Sequence, residues 1–196
     1  MIDNAAHGLD QRIAARVRDL RARHRLTLDA LAERSGVSRS MISLIERGES
    51  SPTAVLLERL ATALNVPLAS LFDAPGRNPQ PVARRADQIE WRDPASGYVR
   101  RNVSPGNFAS PIQITEIEFP PKGRVAFDNS GRDARVHQQV WVLEGSIEVS
   151  VGDECHRLGK GDCLAFVLDR PTAFHNRTRR VARYVVVIVS ERGMGA

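Results

Sequence analysis

From Leu9 to Phe72 the apolar residues recur at the three- and four-residue spacing of helices, and potential caps punctuate them. Beyond residue 95 they fall instead into short β-branched runs separated by Gly, Pro, Asn and Asp. The period changes once. Between the two patterns, residues 73–82 carry three prolines and a glycine, the composition of an extended connector without a core of its own. The chain therefore reads as α+β in two domains: a helical one over 1–75, a linker over 76–95 and an all-β one over 96–196.

Leu9, Ile13, Val17 and Leu20 put one apolar stripe on a first helix. Thr27 can cap a second helix, which Gly36 ends in the left-handed conformation. Ser38 can cap a third from Arg39 to Arg47, closed by Gly48, and Pro52-Thr53 opens a fourth running to Leu64. Pro67 to Phe72 supplies a short fifth, which makes a five-helix bundle. The tight Gly36-Val37-Ser38 turn is the connection of a helix-turn-helix. Farther on, strands are predicted at Tyr98 to Ser104, Ile112 to Phe119, Val136 to Leu143, Ser146 to Val151, Cys163 to Val167, Phe174 to Arg177 and Val181 to Val189. Seven short strands at this spacing indicate a sandwich or barrel.

The chain has 196 residues, enough for two small cores, and ordinary hydrophobic (42%) and charged (26%) fractions, which exclude wholesale disorder. Its longest purely apolar run, Val185 to Val189, is far too short to span a membrane. The acidic N-terminus lacks the charge and apolar stretch of a signal peptide, so a cytoplasmic protein is expected. Cys155 and Cys163 are too few for a disulfide framework and read as reduced, partly buried thiols. The formal charge of +5 permits an acidic partner without requiring one. Its placement is more telling: six arginines stand between residues 12 and 25 against the single acid Asp19.

At 100° per residue, Ile42 and Ile45 of the third helix fall on one side, while Ser40, Ser43, Leu44 and Arg47 cluster on the other. A helix built this way packs on its own bundle and still enters a major groove. Arg39 and Ser40 occupy its first turn, closest to base edges, and the N-termini of helices two and three suit flanking phosphates. Leu28-x-x-Leu-Ala32, Gly36-Val-Ser38, Ile42-Ser-x-Ile-Glu-Arg-Gly48, Pro52-Thr53 and Leu60-Ala-x-Ala-Leu-x-Val66 together resemble the phage-repressor-like, or XRE-type, helix-turn-helix family over roughly residues 10–72. That resemblance implies a dimeric DNA-binding head with Arg39, Ser40, Ser43 and Leu44 at base-reading positions. It places Thr27, Ser38 and Arg47 near phosphates, and pairs Arg21 with Glu46 as a structural salt bridge.

Val140 to Gly145, Gly161-Asp162, Asp169 to Asn176 and the closing strand Ala182 to Val187 resemble a small cupin, a double-stranded β-helix, over roughly residues 96–190. The metal motifs of that family do not carry over. Anchored on Gly145, the first puts Gln138 at the glutamate position and Gly131 with Asp133, or Arg132 with Ala134, at the histidine positions. Anchored on Gly161 and Asn176, the second puts Val167, Asp169 and Thr172 at its proline, glycine and histidine. His137 and His175 are out of step with Gln138 and Thr172, so both should face away from the interior, and His156 reads as surface. No metal and no cofactor is expected.

Gln138 and Thr172 are the inward polar residues, suited to hydrogen-bonding an organic ligand or, in a filled barrel, a water. The function this implies is non-enzymatic. It is a homodimeric transcriptional regulator that binds double-stranded operator DNA, keeps off membranes, dimerises through the edge strands of the cupin and senses an unidentified small-molecule effector. The alternative is a helix-turn-helix and cupin non-haem metal enzyme, which requires two histidines and a carboxylate facing inward. A DNA-bound architectural protein with an inert barrel is a third.

Overall fold

The computed structural model describes residues 2–73, 80–106, 108, 110–129 and 135–191. The chain divides into two compact units, one of residues 1–80 and the other of 81–105 and 109–196, residues 106–108 grouping with the first. Among the described residues no helix is long and apolar enough to cross a membrane.

The first unit contains α1 (Ile2–Arg23), α2 (Leu28–Ser35), α3 (Arg39–Arg47) and α4 (Ala54–Ala63). Thr27, Ser38 and Thr53 cap the last three through hydroxyl oxygens that accept the N–H of Ala30, Met41 and Leu56. Gly36 ends α2 at φ +63°, a conformation that lets the chain reverse into Ser38 within two residues. The expected fifth helix is instead a 3₁₀ segment, Leu68–Phe72, closed by the i+3 bonds Ser70 N to Pro67 O and Asp73 N to Ser70 O. Five residues are too few for a stable array of i to i−4 bonds, so among its described residues the unit has four α-helices and a 3₁₀ turn. Ile13, Val17, Leu20, Leu31, Val37, Ile42, Ile45, Leu57, Leu60 and Leu71 form the core.

Among the described residues the second unit holds ten strands: β1 (Glu90–Arg92), β2 (Val99–Asn102), β3 (Ile112–Phe119), β4 (Arg124–Phe127), β5 (Arg135–Glu144), β6 (Ser146–Val151), β7 (Glu154–Gly159), β8 (Cys163–Val167), β9 (Thr172–His175) and β10 (Ala182–Glu191). A six-stranded sheet runs β1-β2-β3-β10-β5-β8 and a four-stranded sheet β4-β9-β6-β7, every pair antiparallel. The sheets meet through a file of aromatic rings. Tyr98 stacks on Phe119 at 5.6 Å, Phe119 leans on Tyr184 at 6.3 Å, and Tyr184 stacks across the sheets on Phe174 at 5.8 Å.

Strands β1, β4 and β7 were not predicted. β1 lies within the stretch read from sequence as linker, and its short Glu-Trp-Arg pairs with β2 at Trp91 opposite Arg100. The thiols also differ from expectation. Cys155 and Cys163 are free but exposed, because each stands on the outward side of an edge strand.

Asn176, fully buried after β9, closes the small sheet. Its amide donates to the carbonyls of Phe119 and Arg180, and its oxygen accepts the N–H and hydroxyl of Thr178. Replacing Asn176 by Ala strands two carbonyls and is expected to lower the unfolding free energy of the sheet unit by about 3 kcal/mol. An unchanged denaturant midpoint of the sheet-unit transition would show that water replaces those bonds.

Candidate nucleic-acid interface and the interior of the sheet unit

The geometry of α3 starts from what it buries. Ile42, Ile45 and Glu46 turn into the head, and Glu46 is only 6% exposed despite its charge. That carboxylate is held by a fork: Arg21 donates from Nε to Oε1 at 2.6 Å and from Nη2 to Oε2 at 2.8 Å. Arg21 also donates to Leu26 O at 2.9 Å, and Arg18 donates to Glu46 O, so α1 grips the C-terminal turn of α3 at three points. The Glu46 hydrogen bond, opposed by desolvation, raises the Arg21 pKa and keeps the guanidinium charged.

With that side fixed, Arg39, Ser40 and Arg47 are exposed on the remainder of α3, and Ser43 and Leu44 are half-buried beside them. Thr27 and Ser38 stand exposed at the N-termini of α2 and α3, and the hydroxyls of Ser38 and Ser40 lie 3.2 Å apart. The free N–H groups of both helix starts therefore open on the side where Ser38 and Arg39 emerge, an arrangement suited to phosphate. The half-buried side chain of Leu44 offers apolar contact that suits a thymine methyl, and Arg39 the bidentate fork that matches a guanine edge.

Two carboxylates that sequence reasoning missed hold the exposed arginines. Asp29, in the first turn of α2, pairs with Arg39 through Nε at 3.1 Å, and Glu49 pairs with Arg47 through Nη2 at 2.8 Å. Arg47 also donates to Ser43 Oγ. The bond to Arg47 lowers the Glu49 pKa and that to Glu49 raises the Arg47 pKa. Asp29 and Arg39 are ten residues apart on different helices, so no periodicity could have joined them. Glu49 follows Gly48, whose left-handed backbone folds it back.

In the sheet unit, alternation along β5 turns Val136, Gln138, Val140 and Val142 inward. Gln138 is 6% exposed and stands opposite Ile188 of β10 and Phe166 of β8. Thr172 of β9, 3% exposed, accepts a bond from Asn129 Nδ2 at 3.0 Å, and Asn129 also donates to Arg170 O. Gln138 and Thr172 belong to different sheets but the same end of the unit, since Leu168 N bonds Val136 O just upstream of both. Asn129 was missed because residue 129 reads as loop. Deeper inside, Arg100 of β2 donates to Thr115 and Asn102, and burial raises the Tyr184 pKa well above its usual value, Tyr98 adding to the shift and Arg100 opposing it.

His137 alternates with Gln138 and His175 with Phe174, so both face away from the interior; His175 lies 4.0 Å from Glu148 on the outer side. His156, by contrast, shares the side of Val149 and Leu158 on β7 and is half-buried against Glu154. Among the described residues no three His, Cys, Asp or Glu side chains converge; Gly131, Arg132, Asp133 and Ala134 lie outside them. An amide at Gln138 and a hydroxyl at Thr172 are not the donors that hold zinc or iron. The residues at these positions do not fit a metal.

Comparison with known proteins agrees with this geometry. A family described as helix-turn-helix matches residues 17–71. The HTH-type transcriptional regulator SutR of Escherichia coli strain K12 is 28% identical over 170 residues, spanning 84% of this chain and 86% of its own. An uncharacterized HTH-type transcriptional regulator of Archaeoglobus fulgidus is 33% identical over 57 residues, 29% of this chain and 81% of its own. The crystal structure of an HTH_3 family transcriptional regulator from Vibrio cholerae superposes with a TM-score of 0.77 at 25% identity, covering 95% of this chain and 99% of the other. The chain belongs to the helix-turn-helix transcriptional regulators.

Glu46→Ala is expected to destabilise the head by about 2 kcal/mol, since it leaves the Arg21 fork against a half-buried surface without its acceptor. Thermal unfolding of the full chain measures this as a lowered transition for the head, and an unchanged transition would reduce the pair to surface decoration.

Proposed function

We propose that this chain is a cytoplasmic, homodimeric regulator that reads a pseudo-palindromic operator through α3. The single observation that carries it is the division of α3 into a face locked to the head by Ile42, Ile45 and Glu46 and a face presenting Arg39, Ser40, Ser43, Leu44 and Arg47. One α3 spans one half-site, so two heads are needed to reach specific affinities of about 10⁻⁸ M at physiological salt. Thr27, Ser38 and Arg47 take the phosphates that set register, and Arg39 and Ser40 take the base edges.

The sheet unit we read as a cupin-type double-stranded β-helix that binds an organic effector without metal, the head being residues 1–75. Support comes from the inward course of Gln138, 6% exposed on β5, at the same end as Thr172, 3% exposed on β9. An inward amide and hydroxyl are groups that can hydrogen-bond an organic ligand or a water. Catalysis by a non-haem metal is disfavoured by the outward course of His137 and His175.

The test compares two arginines at a selected operator. Arg39→Ala is expected to cost about 1–3 kcal/mol and to relax preference at one base position, while Arg47→Ala weakens all sequences alike and reduces the salt slope by about one. Uniform loss from Arg39→Ala would move that side chain to the phosphates. Chelator treatment is expected to leave operator binding unchanged and about zero equivalents of transition metal per chain; one retained equivalent of zinc, iron, nickel or manganese would reopen the enzymatic alternative.

A further inference from the structure

We propose that two copies of this chain meet through the outer face of the six-stranded sheet, centred on β10 and β5, and not through sheet edges. This rests on the homodimer reading above and assigns its surface. In a sheet with one side on the core, the other side is ordinarily polar. The small sheet obeys: its outer row reads Arg124, His175, Glu148 and Arg157, with Arg177 bridged to Glu148 at 2.9 Å.

The large sheet does not. Along β10, Val185, Val187 and Val189 turn outward, opposite the buried Tyr184 and Val186. Register sets Val189 between Ile112 and His137, Val187 between Ile114 and Gln139, and Val185 between Glu116 and Trp141, so the apolar row of β10 continues onto β3 at one end and onto β5 at the other. Trp141 is 50% and Ile112 46% exposed. An exposed tryptophan amid contiguous branched aliphatics is the signature of an interaction surface.

The occupant that fits is a second copy. Operator reading is incomplete with one head, so a partner of this same chain is required by the function itself. Four strands at ~4.8 Å spacing and about five residues at ~3.3 Å give roughly 320 Å² of flat sheet, about two-fifths of the ~800 Å² per partner of a standard interface. Glu116, Gln139 and His137 stand among the valines within that area, and Arg183, Glu144 and Arg135 extend the surface at its ends. Charge favours an antiparallel two-fold arrangement: β5 begins at exposed Arg135 and ends at exposed Glu144, so stacking reversed copies sets each acid over the partner's base.

The chain carries its own reporters. Cys163 stands in register with Trp141 on this face, whereas Cys155 pairs with Ser150 on the outside of the small sheet, and both are exposed. The experiment follows the full-length wild-type chain by sedimentation and by iodoacetamide alkylation rates over a range of concentrations. The expected result is a dimer in which Cys163 reacts severalfold more slowly as dimer forms while the Cys155 rate stays constant, and a monomer for Trp141→Arg. A monomer at every concentration, with or without DNA, would overturn the homodimer reading and this assignment with it. A dimer in which Cys163 and Cys155 react at unchanged rates would overturn the surface alone. Should Trp141→Arg not fold, the wild-type thiol rates decide.

Discussion

The two-point clasp of Arg21 on Glu46 is the interaction on which the head depends. A carboxylate as buried as that of Glu46 is tolerated only when its charge is matched and its oxygens are bonded, and a guanidinium supplies both in one planar fork. Because Glu46 lies on the same side as Ile42 and Ile45, satisfying it fixes the rotation of α3 about its own axis. That rotation decides which side chains remain outside. A helix turned by one residue, 100°, would bury Ser43 or Arg47 and expose an isoleucine. The caps at Thr27 and Ser38 and the left-handed Gly36 then fix where α3 begins. In the proposed function, the face of α3 that meets DNA is set by how the opposite side of the helix is anchored.

In the sheet unit the organising constraint is the two-residue period of strands. It places Val140, Val142, Tyr184, Val186, Ile117 and Phe119 on the inner side, where the aromatic file from Trp91 through Tyr98, Phe119 and Tyr184 to Phe174 joins the sheets. The same alternation makes Gln138 and Thr172 interior polar groups and sends His137 and His175 outward. A one-residue shift of β5 would exchange these roles entirely.

Much of this was legible in the sequence, and the exceptions have physical causes. The boundaries of α2 and α3 coincide with Thr27, Gly36, Ser38 and Gly48 because caps are local chemistry that the chain states outright. Seven strands with strong apolar patterns were found, including the central β3, β5, β6 and β10, whereas β1, β4 and β7 escaped notice. All three are edge strands. Edges are short and charged because an unpaired edge must resist pairing with other chains, and Glu90-Trp-Arg92 or Glu154 to Gly159 therefore lack the apolar alternation that betrays a strand. The Pro67 to Phe72 segment had helical spacing but too little length between prolines for more than a 3₁₀ turn. Asp29 and Glu49 could not be assigned to Arg39 and Arg47 in advance, since long-range ion pairs leave no periodic trace. The apolar outer side of β10 was visible as Val185 to Val189, an unbroken run, but reads equally as a strand buried on both sides.

Selection of double-stranded DNA from a random pool by the full-length chain at physiological salt tests the DNA-reading role of α3 most directly. Enrichment of an inverted repeat with half-sites about one helical turn apart, ~10 base pairs, is the expected result. Recovery of no common sequence, with binding that depends on salt but not on base order, would contradict it.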